Sequence, residues 1–343
     1  MLAVFWFILV LSFIMMYVLS DGYDLGVGIL TLFERDKERK QAMIELVANV
    51  WDANETWIVM TGVALWGGFP MIYGSVLQFL YPVLFTMLFG LILRGFSNEM
   101  ISSQGINVHH RWHLAFGFGS LIAALAQGVA LGSLTSKILI ENFTNMSKPG
   151  SFFSWYSVLF MCLVVAAYVT LGLAYLKFHR INLIKTGQRG IIMTLVTLAL
   201  LVVALVTINY TAAPLNFNDP WRVTAFISFM VLAVIGVTIA LLNFSNQKET
   251  FGAQAYPMGG LILATVATVL AFTVTHFPII VPGVASPSAG VVINAASSNV
   301  STYRFLLVGV GMWIPLMWYF AFFVHHSLIK RGKNGIWSLI GVK

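Results

Sequence analysis

Long apolar segments alternate with short polar connections along almost the whole chain. A bilayer core of about 30 Å is crossed by roughly 20 helical residues, and on that measure the pattern predicts nine transmembrane helices. They cover residues 2–33, 52–69, 73–95, 113–136, 152–177, 190–209, 222–243, 258–281 and 302–326. The apolar runs are continuous rather than alternating, which favours helices over a transmembrane barrel. The tightest predicted turn runs from Phe69 to Gly74.

The composition fits a membrane protein. Of the 343 residues, 59% are hydrophobic and 9% are charged, and the mean hydropathy is +0.88. Soluble proteins carry about 25% charged residues, so the soluble and disordered classes are excluded. The lone Cys162 excludes a disulfide framework and any multi-cysteine metal or iron–sulfur site. No connection is long enough for a soluble domain and no repeat of 20 to 50 residues is evident, so we expect one integral membrane domain over residues 1–343.

Basic residues fall mostly on one side of the predicted helices. Of the 19 lysines and arginines, 15 lie in the connections after odd-numbered helices or in the C-terminal tail. Because cytoplasmic connections are enriched in Lys and Arg, we expect the N-terminus outside and the C-terminus in the cytoplasm. The net charge of +7 then reflects topology rather than nucleic-acid binding. No basic residue precedes Arg35, so residues 1–33 are interpreted as a retained helix rather than a cleaved signal peptide.

Five acidic residues lie within or at the ends of the predicted helices, where ionisable groups are costly and usually functional. They are Asp21 and Asp24, Asp52 and Glu55 with the same spacing of three, and Glu99. The predicted topology places all five near the cytoplasmic side together with Arg94. We therefore expect a cluster of carboxylates around one guanidinium, suited to proton uptake. The open alternative is that Arg94 pairs with one or two acids only to fix helix packing.

Glycines in the first predicted helix indicate close helix packing. Gly22 and Gly26 form a Gly-x-x-x-Gly motif and Gly28 follows, a spacing that lets a neighbouring backbone approach closely.

The histidine positions argue against haem bound by this chain alone. Six of the seven histidines lie at helix ends or in connections on the predicted cytoplasmic side, and His276 stands alone in the outer part of the eighth predicted helix. Haem ligation needs histidines that face a bundle interior. We therefore expect neither a haem nor a metal on this chain.

Three short motifs follow one another in the first third of the chain. They are Asp21-Gly22-Tyr23-Asp24-Leu25-Gly26-Val27-Gly28, then Val50-Trp51-Asp52-Ala53-Asn54-Glu55-Thr56-Trp57, then Phe69-Pro70 with Arg94-Gly95. The first resembles the Asp-Gly-Phe-Asp-Leu-Gly-Val-Gly signature of subunit II of the cytochrome bd-type quinol oxidases. The second resembles that family's Val-Trp-Asp-Gly-Asn-Glu-Thr-Trp segment, with Ala53 in place of Gly. The likeness runs from residue 21 to about 320, but the arginine that the family carries after the acid at Glu99 is absent here.

The resemblance implies a heterodimer of two bacterial inner-membrane subunits, each built largely from four-helix bundles with a peripheral helix. It implies reduction of dioxygen to water with electrons from quinol, and haems b and d in the partner, subunit I. By the same resemblance, Asp52 occupies the family's acidic position on a proposed proton route, and Asp21 and Asp24 match the acids of the first motif. A structural quinone in this subunit and a small single-span accessory subunit stay open.

Two other functions stay open on the sequence. A secondary transporter could use the acids as an ion site in the inner leaflet, although transporters often carry inverted repeats and helices broken at the midplane, and neither is apparent here. A structural membrane scaffold would leave the five acids without a role.

Overall fold

The computed structural model describes most of the membrane-spanning part of the chain. The described residues are 2–104, 110–135, 154–181, 186–211, 219–246, 250–277, 279–281, 291–292 and 298–309, with 315, 316 and 319. Within them lie ten helices: α1 (Leu2–Thr31), α2 (Lys37–Ala48), α3 (Trp51–Gly68), α4 (Pro70–Gln104), α5 (His110–Thr135), α6 (Trp155–Phe178), α7 (Thr186–Thr211), α8 (Pro220–Phe244), α9 (Phe251–His276) and α10 (Val300–Gly309). The described residues also contain two short antiparallel strands, β1 (Ile279–Val281) and β2 (Val291–Val292).

Seven of these helices, α1 and α4 to α9, are long and apolar enough to cross a membrane. Each coincides with one of the nine predicted helices, so the helical membrane fold is confirmed. The second predicted helix is α3, whose polar first turns keep it outside the seven. The ninth begins as α10 and continues outside the described residues. The number nine and the sides of the two termini stay predictions.

The turn between α3 and α4 is tighter than predicted. Phe69 alone separates the two helices, and α4 starts at Pro70 rather than at residue 73. Proline fits the first turn of a helix because that turn does not use its N–H groups. The helix then continues to Gln104, well past the predicted end at residue 95.

Helix α2 was not predicted, because its sequence is polar and short. It begins after Asp36, whose side chain accepts a hydrogen bond from the backbone N–H of Arg39. The backbone and side-chain hydrogen bonds that Arg39 donates to Asp36 hold the pKa of this carboxyl below its ordinary value. Met43, Ile44 and Val47 are buried, so the helix packs one apolar face onto the rest of the chain.

The eighth predicted helix is displaced. It is α9, which starts at Phe251 rather than at residue 258 and ends at His276 rather than at residue 281. Phe277 precedes a proline, which disfavours the helical conformation at the preceding residue. Its backbone is extended, so the helix ends at His276. Residues 279–281 then form β1. The predicted outer cap from Pro282 to Ser301 lies mostly outside the described residues.

Eight of the helices form two rings of four, and in each ring neighbouring helices contact one another in the same order. In the first ring α1 and α4 each contact both α3 and α5. In the second ring α6 and α8 each contact both α7 and α9. Helix α6 also contacts α1 and α5, which joins the two rings.

The backbones of α1 and α6 cross closely at this junction. Gly26 lies against the backbone of Tyr168 and Gly172, and a Cβ atom on Gly172 would stand 2.6 Å from the carbonyl carbon of Gly26. The other two glycines of the predicted packing motif also face neighbours, Gly22 the ring of Tyr168 and Gly28 a side chain on α5. Larger residues here would push the helices apart.

Gly172→Ala should therefore lower the free energy of unfolding by about 1–3 kcal/mol, because the added methyl overlaps the backbone of α1. The midpoint of detergent-induced or thermal unfolding of the purified protein measures this loss of stability. Gly62→Ala on α3 is the matched control, since nothing lies within 4 Å of a Cβ atom there. That variant should be neutral or slightly stabilising. Equal midpoints for both variants would contradict the close crossing.

Candidate functional site

Four ionisable side chains meet between α1, α3 and α4. Asp21 and Asp24 lie on one face of α1, Glu55 lies near the start of α3, and Arg94 lies on α4. Both aspartates are 0% exposed, Arg94 is 1% exposed and the Glu55 side chain is 20% exposed. These four residues are called the charged cluster below.

Arg94 binds two of the three acids. Its Nη2 donates to Oδ1 of Asp21 at 2.7 Å and to Oε1 of Glu55 at 2.5 Å. Hydrogen bonds between charged groups are short and strong, so this pair of contacts ties α4 to α1 and α3 at once. Asp24 is held differently, because its Oδ2 accepts from the neutral side-chain amide of Asn54 at 2.8 Å.

The charged cluster contains more acids than cations. If all three carboxyls were ionised, two negative charges would lie uncompensated in largely buried surroundings, which is costly. Asp24 has the least compensation, because Asn54 is neutral and Asp24 Oδ1 has no hydrogen-bond partner among the described residues. The arrangement therefore favours a proton on one of the carboxyls.

Several more buried polar atoms belong to the charged cluster or to the next turn of α4. Oδ2 of Asp21, Nε and Nη1 of Arg94 and Oδ1 of Asn98 also have no hydrogen-bond partner within the described part of the chain. Asn98 lies one turn after Arg94 on α4. Buried polar atoms in proteins are nearly always bonded to protein groups or to ordered water. These atoms therefore mark positions where water can bind beside the acids.

Two of the five predicted acids are not buried in the charged cluster. The side chains of Asp52, in the first turn of α3, and Glu99, toward the end of α4, are exposed. Within the described residues, Arg94 forms ion pairs with Asp21 and Glu55 and with neither of these two, and their membership of one inner-leaflet cluster stays a prediction. Asp52 lies one turn before Glu55 on the same side of α3, but at the exposed start of that helix. Glu99 lies five residues after Arg94, about 140° further around the axis of α4, and therefore faces away from it.

Asn54 and Tyr23 contribute to the site but did not stand out in the sequence. Besides Asp24, the Asn54 amide nitrogen contacts the hydroxyl of Tyr23 at 3.1 Å and the carbonyl of Ser20 at 3.4 Å. Both residues lie inside the motifs that carry the paired acids. Polar side chains flanking paired acids were the signal that could have identified them.

A second buried polar chain starts one turn before Asp21. Gln127 on α5 donates from Nε2 to the hydroxyl of Tyr17 at 2.8 Å and accepts from the hydroxyl of Tyr168 at 2.5 Å. This chain joins α1, α5 and α6, and no feature of the sequence singled it out.

Within the described residues no group of three or more His, Cys, Asp or Glu could hold a metal ion. The prediction that the chain carries no haem stays a prediction. The side chains of His109, His276, His325 and His326 lie outside the described residues.

Comparison with known proteins assigns the family. The family model for cytochrome bd terminal oxidase subunit II matches residues 2–327. The chain belongs to this family. It is 24% identical to cytochrome bd-I ubiquinol oxidase subunit 2 of Escherichia coli (strain K12), over 95% of this chain and 94% of that protein. It is 28% identical to cytochrome bd ubiquinol oxidase subunit 2 of Bacillus subtilis (strain 168), over 86% and 87%.

A solved structure has the same fold. The bd oxidase of Geobacillus thermodenitrificans matches with a TM-score of 0.72 at 15% identity, over 95% of this chain and 98% of that chain. Together with the seven apolar helices, the family makes this chain a multi-pass protein of the bacterial inner membrane and a subunit of an oxidoreductase complex. The resemblance found in the sequence motifs is confirmed.

Arg94→Gln should destabilise the protein by about 3–5 kcal/mol, because Asp21 and Glu55 then share no cation. Unfolding of the purified protein in detergent measures the loss, and Arg35→Gln, at an exposed position, should change little. The double variant Asp21→Asn/Arg94→Gln should recover part of the stability, since it removes one uncompensated carboxylate. No recovery in the double variant would contradict the ion-pair account.

Proposed function

We propose that this chain is the haem-free subunit of a heterodimeric quinol oxidase. It stabilises the haem-bearing subunit I and supplies it with protons from the cytoplasm, while subunit I carries haems b and d and reduces dioxygen to water with electrons from quinol. Family membership and the ubiquinol oxidase relatives support the assembly. The observation that carries the proton role is the set of three acids around one buried guanidinium, between helices of a membrane protein.

The proposed proton route runs from the exposed start of α3 into the charged cluster. Asp52 is exposed in the first turn of α3, and Glu55 follows one turn later with partial exposure and a bond to Arg94. Arg94 also binds Asp21, and Asp24 lies one turn further along α1 in full burial. Exposure thus falls from Asp52 through Glu55 to the two fully buried aspartates. Such a gradient suits transfer from the aqueous side toward the membrane interior.

The charge balance of the cluster allows a proton to arrive and leave. The guanidinium of Arg94 keeps its charge in proteins, so only the carboxyls change their protonation. An arriving proton reduces the excess of negative charge, and a departing proton restores it. The unpaired buried atoms of Asp21, Arg94 and Asn98 provide positions for water molecules that bridge the acids.

Co-purification tests the assembly. The tagged chain, expressed in its native membrane, should bring down one larger partner with haem absorbance in equal amount. Expressed without that partner, it should carry no stoichiometric haem, because its predicted helices lack suitably placed histidine ligands. A chain that purifies alone and moves a cation across liposome membranes would contradict the proposal and favour the transporter.

Asp24→Asn tests the proton role, because the amide keeps the size of the side chain but cannot carry a proton. The complex should assemble with normal haem content, while quinol oxidation slows by about tenfold or more in the steps that consume protons. Stopped-flow absorbance of the haems separates those steps from electron delivery. Asp52→Asn should also slow the reaction, and Glu38→Gln on the exposed face of α2 is the matched control. Parent rates in both aspartate variants would remove the proton role.

A further inference from the structure

The side-chain amide of Asn54 joins α3 to α1 beside the charged cluster. Its nitrogen lies 2.8 Å from Oδ2 of Asp24, 3.1 Å from the hydroxyl oxygen of Tyr23 and 3.4 Å from the backbone carbonyl oxygen of Ser20. Asn54 is only 8% exposed, and Asp24 is fully buried. The amide is therefore held by three oxygen atoms of α1 in a site that is largely closed to bulk water.

The partners of this amide determine which of its two polar ends faces α1. A backbone carbonyl and an ionised carboxylate can only accept hydrogen bonds. An amide oxygen in the same place would face the carbonyl of Ser20 and the carboxyl of Asp24 without a hydrogen between them. The atom at this position is therefore the nitrogen, and Asn54 donates to Asp24.

Donation to one carboxyl oxygen of Asp24 assigns the proton to the other. Oδ2 faces an N–H group of Asn54, so a proton on that oxygen would lie against another hydrogen. Oδ1 is buried and has no hydrogen-bond partner among the described residues. When Asp24 is protonated, the O–H bond therefore forms at Oδ1.

The same donor affects how tightly Asp24 holds its proton. A hydrogen bond donated to a carboxylate favours the ionised form. The amide of Asn54 supplies this stabilisation without adding a charge, whereas the other two acids of the charged cluster contact the guanidinium of Arg94. Asp24 is therefore stabilised as a carboxylate without a cation that would keep it permanently ionised.

Other ionisable side chains also act on Asp24. Those in the described part of the chain are Asp21 and Tyr23 on α1, Glu55 on α3, Arg94 on α4 and Tyr175 on α6. All of them stay in place when only Asn54 is replaced. A change in the protonation of Asp24 that follows such a replacement can therefore be assigned to the N–H groups of Asn54.

We propose that Asn54 is a positioning residue that sets the proton affinity of Asp24 and leaves Oδ1 as the atom that takes up and releases the proton. The inference rests on the proposed proton-supplying function. An incoming proton leaves a water molecule and forms an O–H bond at Oδ1. The same bond breaks when the proton passes to the next water molecule. Asn54 keeps its own hydrogens throughout, and no electron moves.

Infrared difference spectroscopy of the purified complex tests this role, because it detects the C=O band of a protonated carboxyl directly. The band of Asp24 is identified by its loss in Asp24→Asn and is then followed as a function of pH. Asn54→Leu nearly keeps the size of the side chain but removes the donor, so the carboxylate is less stable and the neutral form persists to higher pH. The midpoint of the titration should move up by about one to two pH units. Asn49→Leu, at the exposed C-cap of α2, is the matched control and should leave the midpoint unchanged.

An unchanged midpoint in Asn54→Leu would overturn the role of Asn54. If Asp24→Asn slows quinol oxidation, the proposed function survives that result. If Asp24→Asn and Asp52→Asn both run at the parent rate, the proposed function itself fails, whatever the infrared titration shows.

Haem content is measured first in every variant. If Asn54→Leu does not assemble, Asn54→Ala takes its place, and its midpoint should move in the same direction. Loss of assembly in both variants would show that the amide serves only the fold, which also overturns the proposal.

Discussion

Arg94 is buried in α4, and the packing of the first ring depends on compensating its charge. Its guanidinium contacts acids on α1 and α3 together. Because a buried guanidinium cannot release its charge, at least one acid must stay ionised beside it, and both helices must keep their register with α4. Asp24 lies one turn from Asp21, so the same register carries Asp24 into the buried space without a cation of its own. Among the described residues Asp24 therefore has no charged partner, which is a consequence of the register that the Arg94 ion pairs require.

Close backbone crossings bring these helices together, and the crossings recur in the second ring. Gly90 on α4 and Gly236 on α8 each pack against a glycine of the following helix, while Gly26 and Gly172 meet at the junction of the rings. The side chains at equal spacing from these glycines differ in polarity: Asp24 corresponds to Thr170, and Arg94 to Ala240. Asp24 bonds to Asn54 in the first ring, and Thr170 bonds to Thr197 in the second. Two threonine hydroxyls 3.1 Å apart stand where the first ring has an acid and an amide. The same frame therefore holds a charged set in one ring and a neutral set in the other.

The hydrophobic pattern predicted the membrane helices because a bilayer demands about 20 apolar residues in a row, and few other structures produce such runs. It did not predict α2, whose stability comes from a cap and from tertiary burial. It identified the acids but not which of them contact Arg94, since that depends on the rotation of each helix, as Arg94 and Glu99 show. The correspondence between the two rings could not be recognised from the sequence, because it depends on only a few small residues at the helix crossings.

The geometry of the charged cluster favours a proton over a metal or alkali cation. A bound cation such as Ca²⁺ needs six to eight oxygen ligands around it, but Arg94 already occupies one carboxyl oxygen of Asp21 and one of Glu55. Its fixed positive charge also repels any second cation in the same space. Within the described part of the chain, Asp24 is the acid of the charged cluster that has no charged partner, and one carboxylate beside an amide is a weak cation site. A proton needs only that single oxygen, so the excess acid in this buried site is suited to holding and passing protons.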